Sequence, residues 1–460
     1  MTVLSINQQL RNEKYQQLKL VDSLWNTTMT LMLTMAISSV SVLINVGVVS
    51  QNSSESLYIL GLFLPLNYIM MAIHEGLRIP ILKYGSQHEI YSAKEIGQRL
   101  LILYFILFLL MSALILLIWA FQGMAVEFFH VIPAQQYLAK NFILLMLTVG
   151  IIIGFASLTM SCLFGLGLNR WASFLGISGT LLNISVTCCA ANFWEQGLYS
   201  LVWGAVTGSV YLFLSSLLLL LSKNIRFSLH GIHNVFRTVM MDVVRMGIPV
   251  MGSFLLLFAF LSCFNFLVSF YGASDLAGFG IAFRIQSFII IPAIALGTAM
   301  AIHANKAVSL QHFLRARQIF FIGLGMSALI YLVISLIFYF FQHRFIELFT
   351  SNAVIIDAAG NYFNHVSASY LSLGVVLTLM TALEQTGQGL KIFFINITFY
   401  SLEVGFAALL GLNQVDTTRI YLVISIMNWL SSLYLCFEIG KRLLAKPVPH
   451  ISGGTLRHQS

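Results

Sequence analysis

The chain has 460 residues, of which 58% are hydrophobic and only 9% charged, with a formal net charge of +8. A soluble globular protein carries roughly 25% charged residues, and an outer-membrane barrel is built from alternating segments of about ten residues. Repeated apolar runs of the length a bilayer crossing requires exclude both classes and predict an all-α polytopic membrane protein.

The first 23 residues are polar and carry Arg11, Lys14 and Lys19, without the apolar core of a signal peptide. Six spans are predicted at 24–49, 57–82, 98–121, 139–164, 171–191 and 198–221. Six more follow at 247–270, 277–302, 318–341, 363–386, 392–411 and 419–440. The longest polar connection, 222–246, separates an N-lobe (24–221) from a C-lobe (247–440), with an N-terminal segment 1–23 and a tail 441–460 at the ends. Of the 24 lysines and arginines, all but five fall in or at the edge of one set of loops; Lys140, Arg344 and Arg419 lie opposite, and Arg78 and Arg284 lie within spans. That asymmetry predicts that both termini are cytoplasmic, in the cell (inner) membrane. The net charge is thus a topology signal and gives no reason to expect a nucleic-acid partner.

Cys162, Cys188, Cys189, Cys263 and Cys436 sit in or beside spans and read as small apolar residues. His130, His230 and His233 read as interface residues, and no metal-ligand spacing is present. The chain is organised around 277–307, an apolar run holding Arg284 and Pro292 and ending in His303, Asn305 and Lys306. A counterpart at 61–85 holds Pro80 and ends at Lys83. Further pairs support a duplication: Gly165 and Gly167 with Gly387 and Gly389, Asn45 with Asn265, and Asn67 with Gln286. Six spans per half leave both halves in the same orientation. This predicts 12 transmembrane helices in two six-helix lobes, related by a pseudo-twofold along the membrane normal, with a cavity between them.

Several motifs resemble the multidrug and toxic compound extrusion (MATE) family. They are Gly247-Ile248-Pro249, the stretch 276–285, Ala295-Leu296-Gly297, Leu60-Gly61, Gly76-Leu77, Gly85, and Leu182-Asn183-Ile184. The resemblance implies a V-shaped antiporter that exports organic, often cationic compounds by alternating access against an inward flow of protons or sodium ions. It also implies coupling carboxylates that this chain lacks: Asn45, Thr187, Leu257 and Val375 occupy the places where members commonly carry acids.

Ionisable groups inside a span cost roughly 2.5–3.5 kcal/mol on insertion scales, so each needs a reason. Glu403 lies near the middle of span 11 and is the first proton-carrier candidate; a neutral or arginine-paired structural role is the alternative. Arg284 would meet Glu403 or an anionic part of a substrate, or serve in a structural pair. Glu75 and Arg78 share a helical face, which predicts an ion pair and makes Glu75 a second coupling candidate. Glu384, at the end of span 10, reads as an interface residue. Asn45, Asn183, Thr187, Asn265, Arg284 and Gln286 are the expected substrate-cavity residues, although interhelical hydrogen bonding also explains the amides. Pro292 removes a backbone hydrogen bond and is the hinge candidate.

The reading is a secondary active exporter of small amphipathic or cationic compounds. The alternatives are a flippase for lipid-linked oligosaccharide of the same superfamily and an uncoupled facilitator. No enzyme motif is present, so no catalytic activity is expected. No cofactor is expected beyond the coupling ion, a proton or sodium. The expected partners are a small organic substrate and membrane lipids, with the chain acting as a monomer.

Overall fold

A computed structural model describes residues 3–52, 54–128, 133–194, 196–411 and 417–444, with side chains described from Leu18 onward. His130 and most of the expected tail lie outside the described residues. The first lobe comprises α1 (Val3–Asn52), α2 (Ser54–Ser86), α3 (Ala93–Phe128), α4 (Pro133–Gly165), α5 (Asn169–Asn192) and α6 (Ser200–Ser222). A short helix, α7 (Ile232–Asp242), runs through a π-turn into α8 (Ile248–Ser269). The second lobe continues with α9 (Ala273–Ile289), α10 (Ile291–Ser309), α11 (Phe313–Glu347), α12 (Ala353–Val366), α13 (Tyr370–Leu383), α14 (Gly389–Gly411) and α15 (Thr418–Leu444).

These helices make twelve crossings. The pairs α9–α10 and α12–α13 each form one bent crossing, and α7 belongs to the connection between lobes. The apolar helical run Ala353–Leu410 is 58 residues long. At about 1.5 Å per residue it is far too long for one passage of a hydrocarbon core roughly 30 Å thick. Gly387, at φ 100°, breaks it into two crossings. Its counterpart in the first lobe is Gly167, at φ 77°. Left-handed backbone there favours glycine, so the two turns correspond at the same spacing as Asn45 and Asn265, two residues off the pairing of Gly165 with Gly387. At the start of the chain, α1 begins at Val3, so the polar first residues continue the helix of the first crossing.

Small residues let the backbones approach where lipid supplies no hydrophobic drive between helices. Gly204 and Gly208, one turn apart on α6, abut α5: a Cβ at Gly204 would lie 2.7 Å from the Asn183 carbonyl, and one at Gly208 would lie 2.9 Å from Asn183 Cβ. Gly204→Val should therefore separate α5 from α6 and cost about 1–3 kcal/mol, measured as a lower melting temperature of the purified protein in detergent. The far half of the second lobe is instead filled by rings, with Phe264, Phe279, Tyr331, Phe363, Tyr370 and Tyr421 all buried.

The lobes meet at the end where the 222–246 connection lies, here the linker end. Thr27 Oγ1 is 3.2 Å from His303 Nε2, the Tyr84 hydroxyl donates to Asp242 at 2.6 Å, and Lys83 pairs with Asp242 at 3.7 Å. Lys306 reaches Glu89 at 4.0 Å. Tyr68 and Phe258, with ring centroids 4.9 Å apart, add a ring contact between the lobes.

Candidate functional site

In the far half of the first lobe, α1, α4, α5 and α6 enclose a cavity of about 400 Å³. This is within the range of small-molecule sites, about 300–1,000 Å³. Its polar lining is Ser38, Ser41, Asn45, Ser157, Thr180, Asn183 and Ser209, set among Val42, Ile153, Met160 and Leu212. None of its lining residues is charged. A second void, between α11, α14 and α15 beside Lys391 and Glu438, measures only about 80 Å³, which is too small for an organic substrate.

Asn45 and Asn183, both expected at a cavity, line this one, and they also bond each other: Asn45 Nδ2 donates to Asn183 Oδ1 at 2.7 Å, and Asn45 Oδ1 has no protein partner. Local sequence sets up the α1 wall. Thr30, Thr34 and Ser38 each return their hydroxyl to the carbonyl four residues earlier, a pattern that satisfies hydroxyls in an apolar setting and bends helices. Ser173 on α5 donates to the Thr30 carbonyl at 2.9 Å, tying α5 to α1. Thr187 departs from expectation. It is fully buried against Gly204 and does not line the cavity, because the close α5–α6 crossing turns it inward.

In the second lobe Glu403 is only 6% exposed. It lies within electrostatic reach of the hydroxyls of Tyr362 and Tyr400. The Tyr362 hydroxyl donates to Gln286 Oε1, bringing Gln286 to the edge of this cluster. Arg284 does not join it. The buried stripe of α9 is Gly278, Phe279, Ala282, Ile285 and Ile289, and Arg284 falls on the opposite, exposed side without an ion pair to Glu403. Asn265 is exposed at the far end of α8 and lines neither cavity, so it does not repeat the part of Asn45. Glu75 and Arg78 pair as predicted, with Arg78 Nη2 2.5 Å from Glu75 Oε2. Pro292 lies in the first turn of α10, just after the break at Ile290.

Sequence reasoning missed Tyr362, Tyr400 and Tyr331, because a tyrosine among many carries no local signal. It also missed Ser253 and Asn396, paired at 3.1 Å although 143 residues apart in the chain. Among the described residues no group of three or more His, Cys, Asp or Glu side chains could hold a metal ion.

Twelve crossings in two lobes, with a largely apolar, uncharged cavity inside the first of them, define the class as a membrane transporter fold. The MatE family model matches residues 249–409. A solved structure of a variant of the Vibrio cholerae MATE transporter VcmN superposes with a TM-score of 0.84 at 14% identity, covering 93% of this chain and 98% of that one. Another, described as the outward-facing conformation of a multidrug resistance MATE family transporter, superposes with a TM-score of 0.82 at 18% identity, over 92% and 96% of the two chains. The probable multidrug resistance protein YoeA of Bacillus subtilis is 23% identical over 233 residues, 48% of this chain. That match spans about half the length of the relative. The solved structures show that the chain has the fold of MATE transporters, and the MatE family model matches within its second lobe. MATE family transporters are membrane transporters and not enzymes.

Proposed function

We propose that the chain is a secondary active exporter of small organic compounds that works by alternating access. The observation that carries this reading is the cavity of about 400 Å³ with its Asn45–Asn183 pair, placed away from the end at which the lobes touch. The lysine and arginine distribution puts the linker end and both termini in the cytoplasm, so the lobes are closed to the cytoplasm and parted on the outer side. An apolar wall bearing hydroxyls and amides suits amphipathic compounds, which bind largely through apolar contact with a few orienting polar groups. The same uncharged lining argues against a lipid-linked pyrophosphate, which a flippase would have to neutralise. Lipid surrounds a single copy in this reading, and the coupling ion is a proton carried by Glu403.

The test is uptake of a fluorescent organic cation into proteoliposomes under imposed proton or sodium gradients. Glu403→Gln is expected to abolish gradient-driven transport and leave ligand affinity unchanged. An uncoupled facilitator is favoured by one observation, the amide at Asn45 where members commonly carry an acid. Transport that runs equally well without a gradient, in wild type and mutant alike, would establish that reading instead.

A further inference from the structure

The helix that leads from the connection into the second lobe is held by both lobes. Ile232–Ser269 is one helical run of 38 residues, α7 and α8 joined through the π-turn Val243–Gly247. At about 1.5 Å per residue it is far longer than a hydrocarbon core of roughly 30 Å, so α7 stands outside the core at the linker end. There it is fastened to the first lobe. The Tyr84 hydroxyl of α2 donates to Asp242 Oδ2 at 2.6 Å, and Lys83 Nζ stands 3.7 Å from Asp242 Oδ1. Tyr84 is itself completely buried, with the Arg99 guanidinium of α3 4.5 Å from its ring centre. Just before α7, Gln98 Nε2 of α3 donates to the His230 carbonyl at 2.8 Å, and a Cβ on Gly97 would lie 2.3 Å from the Arg226 carbonyl oxygen.

Beyond the π-turn the same helix is held by the second lobe. Ser253 Oγ accepts from Asn396 Nδ2 of α14 at 3.1 Å, a Cβ on Gly252 would lie 2.4 Å from the Phe393 ring, and the Phe260 and Tyr400 ring centroids are 4.7 Å apart. From Gly247 onward it meets α2 through apolar contacts. Val250 shares a small cluster with Ile79 and Met246, Met251 lies against Gly76, and Phe258 lies against Tyr68. Surfaces of that kind part without giving up a hydrogen bond. Between the two holds the backbone ladder is at its weakest. The Ile248 N–H reaches back five residues to the Val243 carbonyl, and Pro249 has no N–H to offer the Arg245 carbonyl. A π-turn and a proline are both recognised causes of helix bending.

We infer that the pivot between the lobes lies within Val243–Gly247: α7 travels with the first lobe, and α8 swings with the second. Of the linker-end contacts, those from Tyr84 and Lys83 to Asp242 persist in both states. Those between Thr27 and His303, Lys306 and Glu89, and Gly76 and Gly247 part. The pivot is separate from Pro292, whose bend lies inside the second lobe. The inference rests on the alternating-access reading above and adds the residues on which the lobes turn.

The test is a set of spin-label distances at the linker end among exposed Lys94 on α3, Arg237 on α7 and Arg315 at the start of α11, in the full chain with the five native cysteines replaced. The seam is parted by Gly76→Leu and, separately, by Lys306→Glu, which puts a carboxylate opposite Glu89. Where the Lys94–Arg315 distance lengthens, Arg237–Arg315 should lengthen with it, and Lys94–Arg237 should keep its wild-type value. Adding Pro249→Ala returns an N–H to the Arg245 carbonyl, a bond that bending must release, so the parted population should fall roughly 2- to 10-fold. A Lys94–Arg237 distance that lengthens as much as Lys94–Arg315 overturns the inference, because α7 then leaves with the second lobe. An undiminished parted population with Pro249→Ala overturns it as well. A Lys94–Arg315 distance unchanged in both variants overturns it together with alternating access. If the distances behave as expected and no transport is found, the exporter reading alone fails.

Discussion

Gly76→Leu should hold the lobes apart at the linker end and collapse transport. Helix α2 meets the π-turn leading into α8 at this point, on a pair of glycines from opposite lobes. A Cβ on Gly76 would lie 2.7 Å from the Gly247 carbonyl oxygen, and one on Gly247 would lie 2.8 Å from the Gly76 carbonyl oxygen. Met251 also crowds Gly76. Backbone oxygens cannot rotate away as a side-chain tip can, so the helices themselves have to separate. Overpacking of this kind costs about 1–3 kcal/mol. In the alternating-access reading this contact exists only while the seam is closed, so the whole cost falls on that conformation, roughly a 5- to 150-fold change in the ratio of states. The spin-label distance at the linker end should lengthen, and uptake into proteoliposomes should fall in step. Gly61→Leu provides the control, since a Cβ there meets nothing within 4 Å. If Gly76→Leu transports as Gly61→Leu does, the glycine pair is not the closing contact.

Tyr331→Phe should be the most destabilising loss of a single oxygen in the second lobe. At the bend between α9 and α10 the Ala293 N–H donates to the Tyr331 hydroxyl at 3.1 Å, and that hydroxyl donates to the Ile289 carbonyl at 2.6 Å. In a regular helix Ala293 would bond Ile289 directly. Here the phenol is inserted into the ladder, one of the recognised causes of a helix kink, and Pro292 beside it has no N–H to offer. Tyr331 is completely buried, so water cannot replace the lost oxygen. Two unsatisfied backbone groups at about 1–3 kcal/mol each give roughly 2–6 kcal/mol. The measurement is thermal unfolding of the purified protein, where a drop well beyond that of Phe338→Leu is expected. An unchanged melting temperature would mean that the ladder recloses and the bend needs no support from α11. Gly374 supplies an independent probe, because any Cβ at that position collides with the Tyr331 ring. Gly374→Ala should therefore reproduce much of the effect without touching the hydroxyl.

Both predictions concern contacts that no local pattern in the chain announces. The spans themselves were legible, because crossing a bilayer imposes length and apolarity on every one of them. Asn45 and Asn183 were cavity candidates through the family resemblance although their hydrogen bond to each other was not legible, and Glu75 with Arg78 was legible through helical periodicity alone. Thr187 was misplaced because a helix wheel cannot say which face of α5 the glycines of α6 will cover. Arg284 was misplaced for a related reason: a charge in a span suggests an internal partner, yet the stripe from Gly278 to Ile289 turned it outward.

The sequence by itself determined the class, the number of crossings, the duplication and the isolation of Glu403 in an apolar helix. These follow from composition and period, which are properties of each segment alone. Only the tertiary structure decided that Asn45 faces a cavity with no charged lining and that Tyr331 props the bend at Ile290. Such pairings join residues tens to hundreds of positions apart. They depend on where small residues such as Gly76, Gly204 and Gly247 allow two helices to touch, and that is fixed by steric fit between helices and not by any one helix's pattern.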